Sequence, residues 1–73
     1  NFELFPNPTM GSFNLTFNDA KNHTVEVFDT NGKRISSLNN QSVKTVVNLT
    51  EYSAGTYTIK VMPEAITYQI VKQ

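Results

Sequence analysis

From Phe13 to Phe17 every second residue is apolar, with Asn14 and Thr16 between Phe13, Leu15 and Phe17. An extended chain sends successive side chains to opposite faces, so this pattern marks a strand with one face in a core and one in water. The alternation returns in Val25 and Val27, in Val43, Thr45, Val47 and Leu49, in Tyr57, Ile59 and Val61, and in Ile66, Tyr68 and Ile70. Helical spacing is missing throughout. Clusters of turn-forming residues separate the runs at intervals of about ten residues: PNPTMG, NDAKNH, TNGK, NNQS, TEYSAG and MPEA. With a short first strand at Phe2 and Leu4, this predicts an all-β fold, a small seven-stranded immunoglobulin-like antiparallel β-sandwich, as one domain over residues 1–73.

Local features refine the expectation. Phe28 breaks the alternation of Val25 and Val27 and marks a switch of face. Asn31-Gly32 predicts a two-residue hairpin turn with both central residues at positive φ. Leu49, Gly55 and Tyr57 have the spacing of a tyrosine corner, in which a Tyr near a strand start bonds back to upstream backbone. Pro6 and Pro8 fix φ and discourage helix before them, and Gly11 is expected to permit the bend into the Phe13 strand.

A chain of 73 residues buries only about 60% of the surface it exposes when unfolded, which leaves one thin core and no room for a deep cleft. Six Lys or Arg balance six Asp or Glu, so no charge surplus draws in nucleic acid or anionic lipid. Cysteine is absent, which excludes disulfides, thiolate metal sites and a cysteine nucleophile. No apolar run approaches the roughly 18 residues of a membrane helix, so no membrane insertion is expected. The opening NFELF lacks the basic start and apolar centre of a signal peptide, and the chain lacks an initiating Met. If the domain is exported, its address for crossing the inner membrane lies elsewhere or the chain is a fragment of something larger, and the missing Met agrees with a fragment.

Catalytic chemistry finds little support. The lone His23 lies in a polar loop and is expected to be solvent-exposed. The carboxylates Glu3, Asp19, Glu26, Asp29, Glu51 and Glu64 scatter, and no groove sets two of them at glycosidase separation. No nucleophile elbow, Walker sequence or phosphate-cradling glycine loop occurs. FNDAKN and DTNGK carry oxygen ligands of the kind calcium takes, but the latter reads better as an Asx turn with Asp29 bonding its own backbone. Sequons stand at Asn14, Asn22, Asn40 and Asn48, and read as ordinary polar strand and turn residues. Tyr52 and Tyr68 are the aromatics placed least firmly inside, and their exposure would hint at a ligand platform. No metal, no cofactor and no enzymatic activity are expected.

The segments LFPNPTMGSFNL, VEVFDTNGKRI, VNLTEYSAGTYTIKV and ITYQIVKQ follow one another in an order and spacing that resemble the type A C-terminal sorting domain of the type IX (Por) secretion system. The resemblance covers nearly the whole chain. Pro6, Asn7, Pro8 and Gly11 match the family's opening box. Asp29, Gly32 and Lys33 match its hairpin motif, with Leu49 upstream of the strand in which Gly55, Tyr57, Lys60 and Val61 match. Ile70, Val71 and Lys72 match the apolar-basic ending. The chain departs from the family at MPEA, where many members have a Gly or Asn-Gly turn.

The resemblance implies a job without chemistry. Such domains end proteins exported by certain Gram-negative bacteria, covalently following an upstream cargo domain. They are recognised by shuttle proteins and the outer-membrane translocon, and in many members a sortase-like peptidase removes them outside. The implied route runs through the periplasm to the cell surface or medium. Gly55, Tyr57, Lys60, Ile70, Val71, Lys72 and Gln73 are the expected translocon-recognition residues. A sandwich leaves edge strands unpaired, and the last strand could offer its edge for strand addition, its terminal carboxylate for capture, and Lys72 for charge complementarity. Equally, that strand could be a capped edge with a guarding Lys. Two other readings stay open: a fibronectin-like adhesion or carbohydrate-binding module, which predicts an exposed aromatic row, and a spacer packed on a neighbouring catalytic domain.

Overall fold

The computed structural model describes residues 2–17, 22–40 and 43–73. Seven strands follow one another: β1 (Phe2–Phe5), β2 (Ser12–Phe17), β3 (His23–Phe28), β4 (Arg34–Asn40), β5 (Lys44–Asn48), β6 (Gly55–Met62) and β7 (Ile66–Lys72). They form a three-stranded sheet of order β1-β2-β5 and a four-stranded sheet of order β4-β3-β6-β7, with antiparallel pairing within each. The sheets bury one shared core of Phe13, Leu15, Phe17, Val25, Val27, Val47, Leu49, Tyr57, Ile59, Val61 and Ile70. These are the inward positions of the alternation, so a period of two in the sequence becomes two apposed apolar faces.

Phe28 does not switch face: β3 stays in register with β6 through Phe28 and Thr58 and keeps its alternating burial, while the slip against β4 leaves Ile35 as the extra residue on that strand. Two pieces of local geometry match the reading. The Tyr57 hydroxyl donates to the Ser53 carbonyl at 2.6 Å and closes the tyrosine corner. Asp29 Oδ1 accepts from the backbone N–H groups of Asn31 and Lys33, both at 2.9 Å, which is the Asx turn expected of DTNGK.

Other expectations are corrected. In the hairpin turn only Gly32 has positive φ (84°), and its N–H donates to the Asp29 carbonyl at 3.0 Å. The loop is therefore one residue longer than a two-residue turn: a tight turn over Thr30 and Asn31, then a left-handed glycine. This connection also imposes the bulge beside Phe28. His23 is not an exposed loop residue. It opens β3, is 4% exposed, and stacks on Phe17 with ring centroids 4.3 Å apart, its Nδ1 lying 3.2 Å from Glu64 Oε1. Its position extends the inward series of Val25 and Val27 by one step, and the flat ring fits there as an aromatic does. Val43 does not join Val47 and Leu49 inside; it precedes β5 and is 50% exposed. Tyr68 is 39% exposed although it shares an alternation face with buried Ile70. It stands on an edge strand of a four-stranded sheet covered by only three strands. The possible ligand loop FNDAKN, with Asp19, falls largely outside the described residues.

MPEA reverses the chain between β6 and β7 with Ala65 in the left-handed region (φ 57°). The departure from a glycine turn therefore costs backbone strain and not the hairpin itself.

Candidate functional site

The motif residues separated in sequence come together at one end of the sandwich. Chain direction sets which end this is. β1 begins opposite Phe17, and β3 starts beside the same residue, so Phe2, Phe17 and His23 mark one end. The box, the DTNG turn, the corner before β6 and the close of β7 all lie at the other.

The box from Pro6 to Gly11 is joined to β7. The Asn7 side-chain amide donates from Nδ2 to the Gln69 carbonyl at 3.0 Å, and its Oδ1 accepts from the Val71 N–H at 3.0 Å. Thr9 continues the pairing with its backbone. Its N–H donates to the Val71 carbonyl (2.8 Å), its carbonyl accepts from the Gln73 N–H (2.9 Å), and it bridges Lys72 in parallel. Its hydroxyl donates to the Ser12 carbonyl at 2.5 Å and accepts from the Gly11 N–H at 3.1 Å, so a threonine can be 1% exposed without an unmet polar group. Pro6 and Pro8 have no N–H to give, which is why the pairing falls to Thr9 and to an asparagine side chain.

Gly11 fastens the box to the corner. Its carbonyl accepts from the Leu49 N–H at 2.8 Å, and a Cβ at this position would overlap the Thr50 methyl group. Glycine is required there by close approach and not, as the sequence suggests, to bend the chain. Asn48 Oδ1 accepts from the Thr50 N–H (2.9 Å) and hydroxyl (2.6 Å), so the Asn48-Leu49-Thr50 sequon serves a turn. A Cβ on Gly55 would come 3.0 Å from the Thr30 methyl, which sets the DTNG turn beside the start of β6. Gly55 pairs with Lys72, and the Lys72 ammonium donates to the Tyr52 carbonyl at 2.6 Å.

The expected recognition residues divide accordingly. Gly55, Val71, Lys72 and Gln73 belong to this end. Tyr57 and Ile70 are 4% and 0% exposed, so their side chains build the core under the surface and present nothing to a partner. Lys60 lies mid-sheet opposite Glu26, away from the others. The edge of β7 is not free from Gln69 to Gln73, as strand addition would require, because the box occupies it. Nor is Lys72 an unengaged charge. Of the residues that match the opening box and the hairpin motif, and of Leu49 upstream of β6, Asn7, Gly11, Asp29, Gly32, Lys33 and Leu49 all take part in the contacts above or in the DTNG turn, while Pro6 and Pro8 stay exposed. Thr9, the most connected residue of the box, was missed. Its only sequence signal is its place between a proline turn and a strand.

An open depression of about 270 Å³ is lined by Asn48, Thr50, Glu51 and Tyr52. That is below the size of cavities that bury small ligands. Among the described residues no three His, Asp or Glu side chains cluster as metal ligands. Tyr52 and Tyr68 are both 39% exposed, but they form no row. Tyr52 sits beside Lys72, whereas Tyr68 is four residues back along β7, roughly 13 Å away. Exposed apolar side chains at this end include Met10 (76%), Phe5 (48%), Val71 (43%) and Tyr52.

No curated protein matches the sequence. The sequence profile of the secretion system C-terminal sorting domain matches residues 3–73, from β1 through the last residue of ITYQIVKQ. The chain belongs to the family of type IX secretion C-terminal sorting domains, signals that direct export to the cell surface or extracellular space.

Proposed function

We propose that the chain is a non-enzymatic address, recognised while its cargo waits in the periplasm, and that the end of the sandwich built by the box, the corner and β7 is the part recognised. The observation that carries this reading is the convergence of the motif segments. Pro6–Gly11, Thr30, Leu49–Gly55 and Lys72–Gln73 are joined to one another by backbone and side-chain contacts. A signal read on many cargos must not depend on them, and this surface lies at the end opposite the start of β1. Recognition falls on exposed Val71, Gln73, Met10 and Tyr52, with Gly55, Tyr57, Ile70 and Lys72 holding the backbone in place. Shuttle proteins and the translocon are the partners, and a sortase-like peptidase takes the upstream junction as its substrate.

The test is a reporter placed between a signal peptide and this chain, produced in a host with a working type IX system. Tyr52→Ala combined with Val71→Ser should lower extracellular reporter at least fivefold. Val46→Ser, on the outer face of the other sheet and 56% exposed, should leave it unchanged. Equal export from both variants would remove this surface from recognition.

A further inference from the structure

The box lies on the strand that a strand-adding receptor would use. A strand paired antiparallel on one side turns both backbone groups of alternate residues away from its partner. On β7 the outward groups between the Gln69 carbonyl and the Gln73 N–H are those two and the Val71 N–H and carbonyl, and all four are bonded to Asn7 or Thr9. Their occupant is a short extended stretch of polypeptide in which one side-chain amide stands in for a peptide group. The edge thus displays its ligand chemistry in its own structure.

The hold is shallow. Of residues 6–10 only Thr9 is buried, and Met10 is 76% exposed. The two prolines lack the donors that would lengthen the pairing. Both flanks are anchored without the edge: Leu4 pairs with Leu15, and the Gly11 carbonyl accepts from the Leu49 N–H. Residues 6–10 can therefore leave β7 as a loop while both sheets stay intact.

We propose that Pro6 to Met10 is a removable cover on the outer edge of β7, and that an extended segment of the secretion receptor replaces it there, adding a strand beside β7. This rests on the sorting reading above. The cover keeps a reactive edge from pairing with other copies before the receptor is met, which is a hazard of exposed sheet edges. Recognition is then an exchange of one extended segment for another on the same backbone groups.

Hydrogen exchange on the intact chain tests the opening. The Val71 and Gln73 amides, held only by the cover, should exchange at least tenfold faster than those of Ile70 and Lys72, which face β6. Exchange of all four at one rate would mean the edge opens only on global unfolding, and overturns the proposal. So would exchange at Val71 that slows as protein concentration rises, since a second copy would then fill the edge. Export tests the exchange. Thr9 and Lys72 are bridge partners on adjacent strands, a spacing of about 5 Å that suits a disulfide, and the described residues hold no other cysteine. A reporter fusion carrying Thr9→Cys and Lys72→Cys, with the disulfide formed, should yield at least tenfold less extracellular reporter than either single variant. Export equal to the singles overturns the cover. Failure of the unsubstituted fusion to be exported would instead sink the sorting reading beneath it.

Discussion

Gly11 offers the sharpest test of how the box is fastened. Gly11→Ala places a Cβ against the Thr50 methyl, whose rotamer is fixed by the hydroxyl bond to Asn48 Oδ1. The Thr50 Cα stands 3.5 Å from the same point, an ordinary contact distance, so the clash lies with the methyl alone. Overpacking of this kind costs about 1–3 kcal/mol. In a chain of this size each kcal/mol lowers Tm by about 4–8 °C. Thr50→Ser removes the methyl and keeps the hydroxyl; on an exposed turn it should cost under about 0.5 kcal/mol alone. The double variant should recover most of the loss, giving a coupling of at least about 1 kcal/mol in a thermal-melt double-mutant cycle. If Gly11→Ala costs the same with serine at position 50 as with threonine, the steric account is wrong and the glycine serves its own backbone.

Further outcomes follow from single contacts. Asn7→Ala removes two hydrogen bonds to β7 and should destabilise by about 1–2 kcal/mol in urea unfolding, with Asn7→Asp between it and the parent because the carboxylate accepts from Val71 but cannot donate to Gln69. Tyr57→Phe deletes the bond to Ser53 and should lower Tm by about 4–8 °C, corresponding to about 1 kcal/mol; an unchanged melt would deny the corner any part in stability. Ala65→Gly relieves a left-handed alanine and should raise stability by about 0.5–1 kcal/mol, read from the urea midpoint.

Period-two alternation carried most of the fold because burial on one face leaves a direct trace in the sequence. Phe13, Leu15, Val25, Ile59 and Val61 are all inside as that pattern requires. It misplaced residues whose burial depends on which sheet covers them. Val43 and Tyr68 keep the spacing but stay exposed, Val43 just before β5 and Tyr68 on an edge strand, and His23 is polar by composition yet completes the inward row of β3. The candidate site was less legible. Pro6, Asn7, Pro8 and Gly11 stand out in the sequence, but their contact with β7 spans more than sixty residues and runs through backbone groups and one amide. Such bonds leave no periodic signature. The sequence pointed to two separate features, a stiff lead-in and a readable last strand, where the structure has one joined surface.

On the sorting reading these residues suffice to send a cargo out through the type IX system. The direct measurement follows a signal peptide–reporter–chain fusion in a competent host and in the same host lacking the translocon pore. The reporter should reach the surface or medium in the first and stay in the periplasm in the second, and removal of residues 69–73 should retain it in both. Equal extracellular reporter in the two hosts, or periplasmic retention in both with the chain intact, would contradict the account.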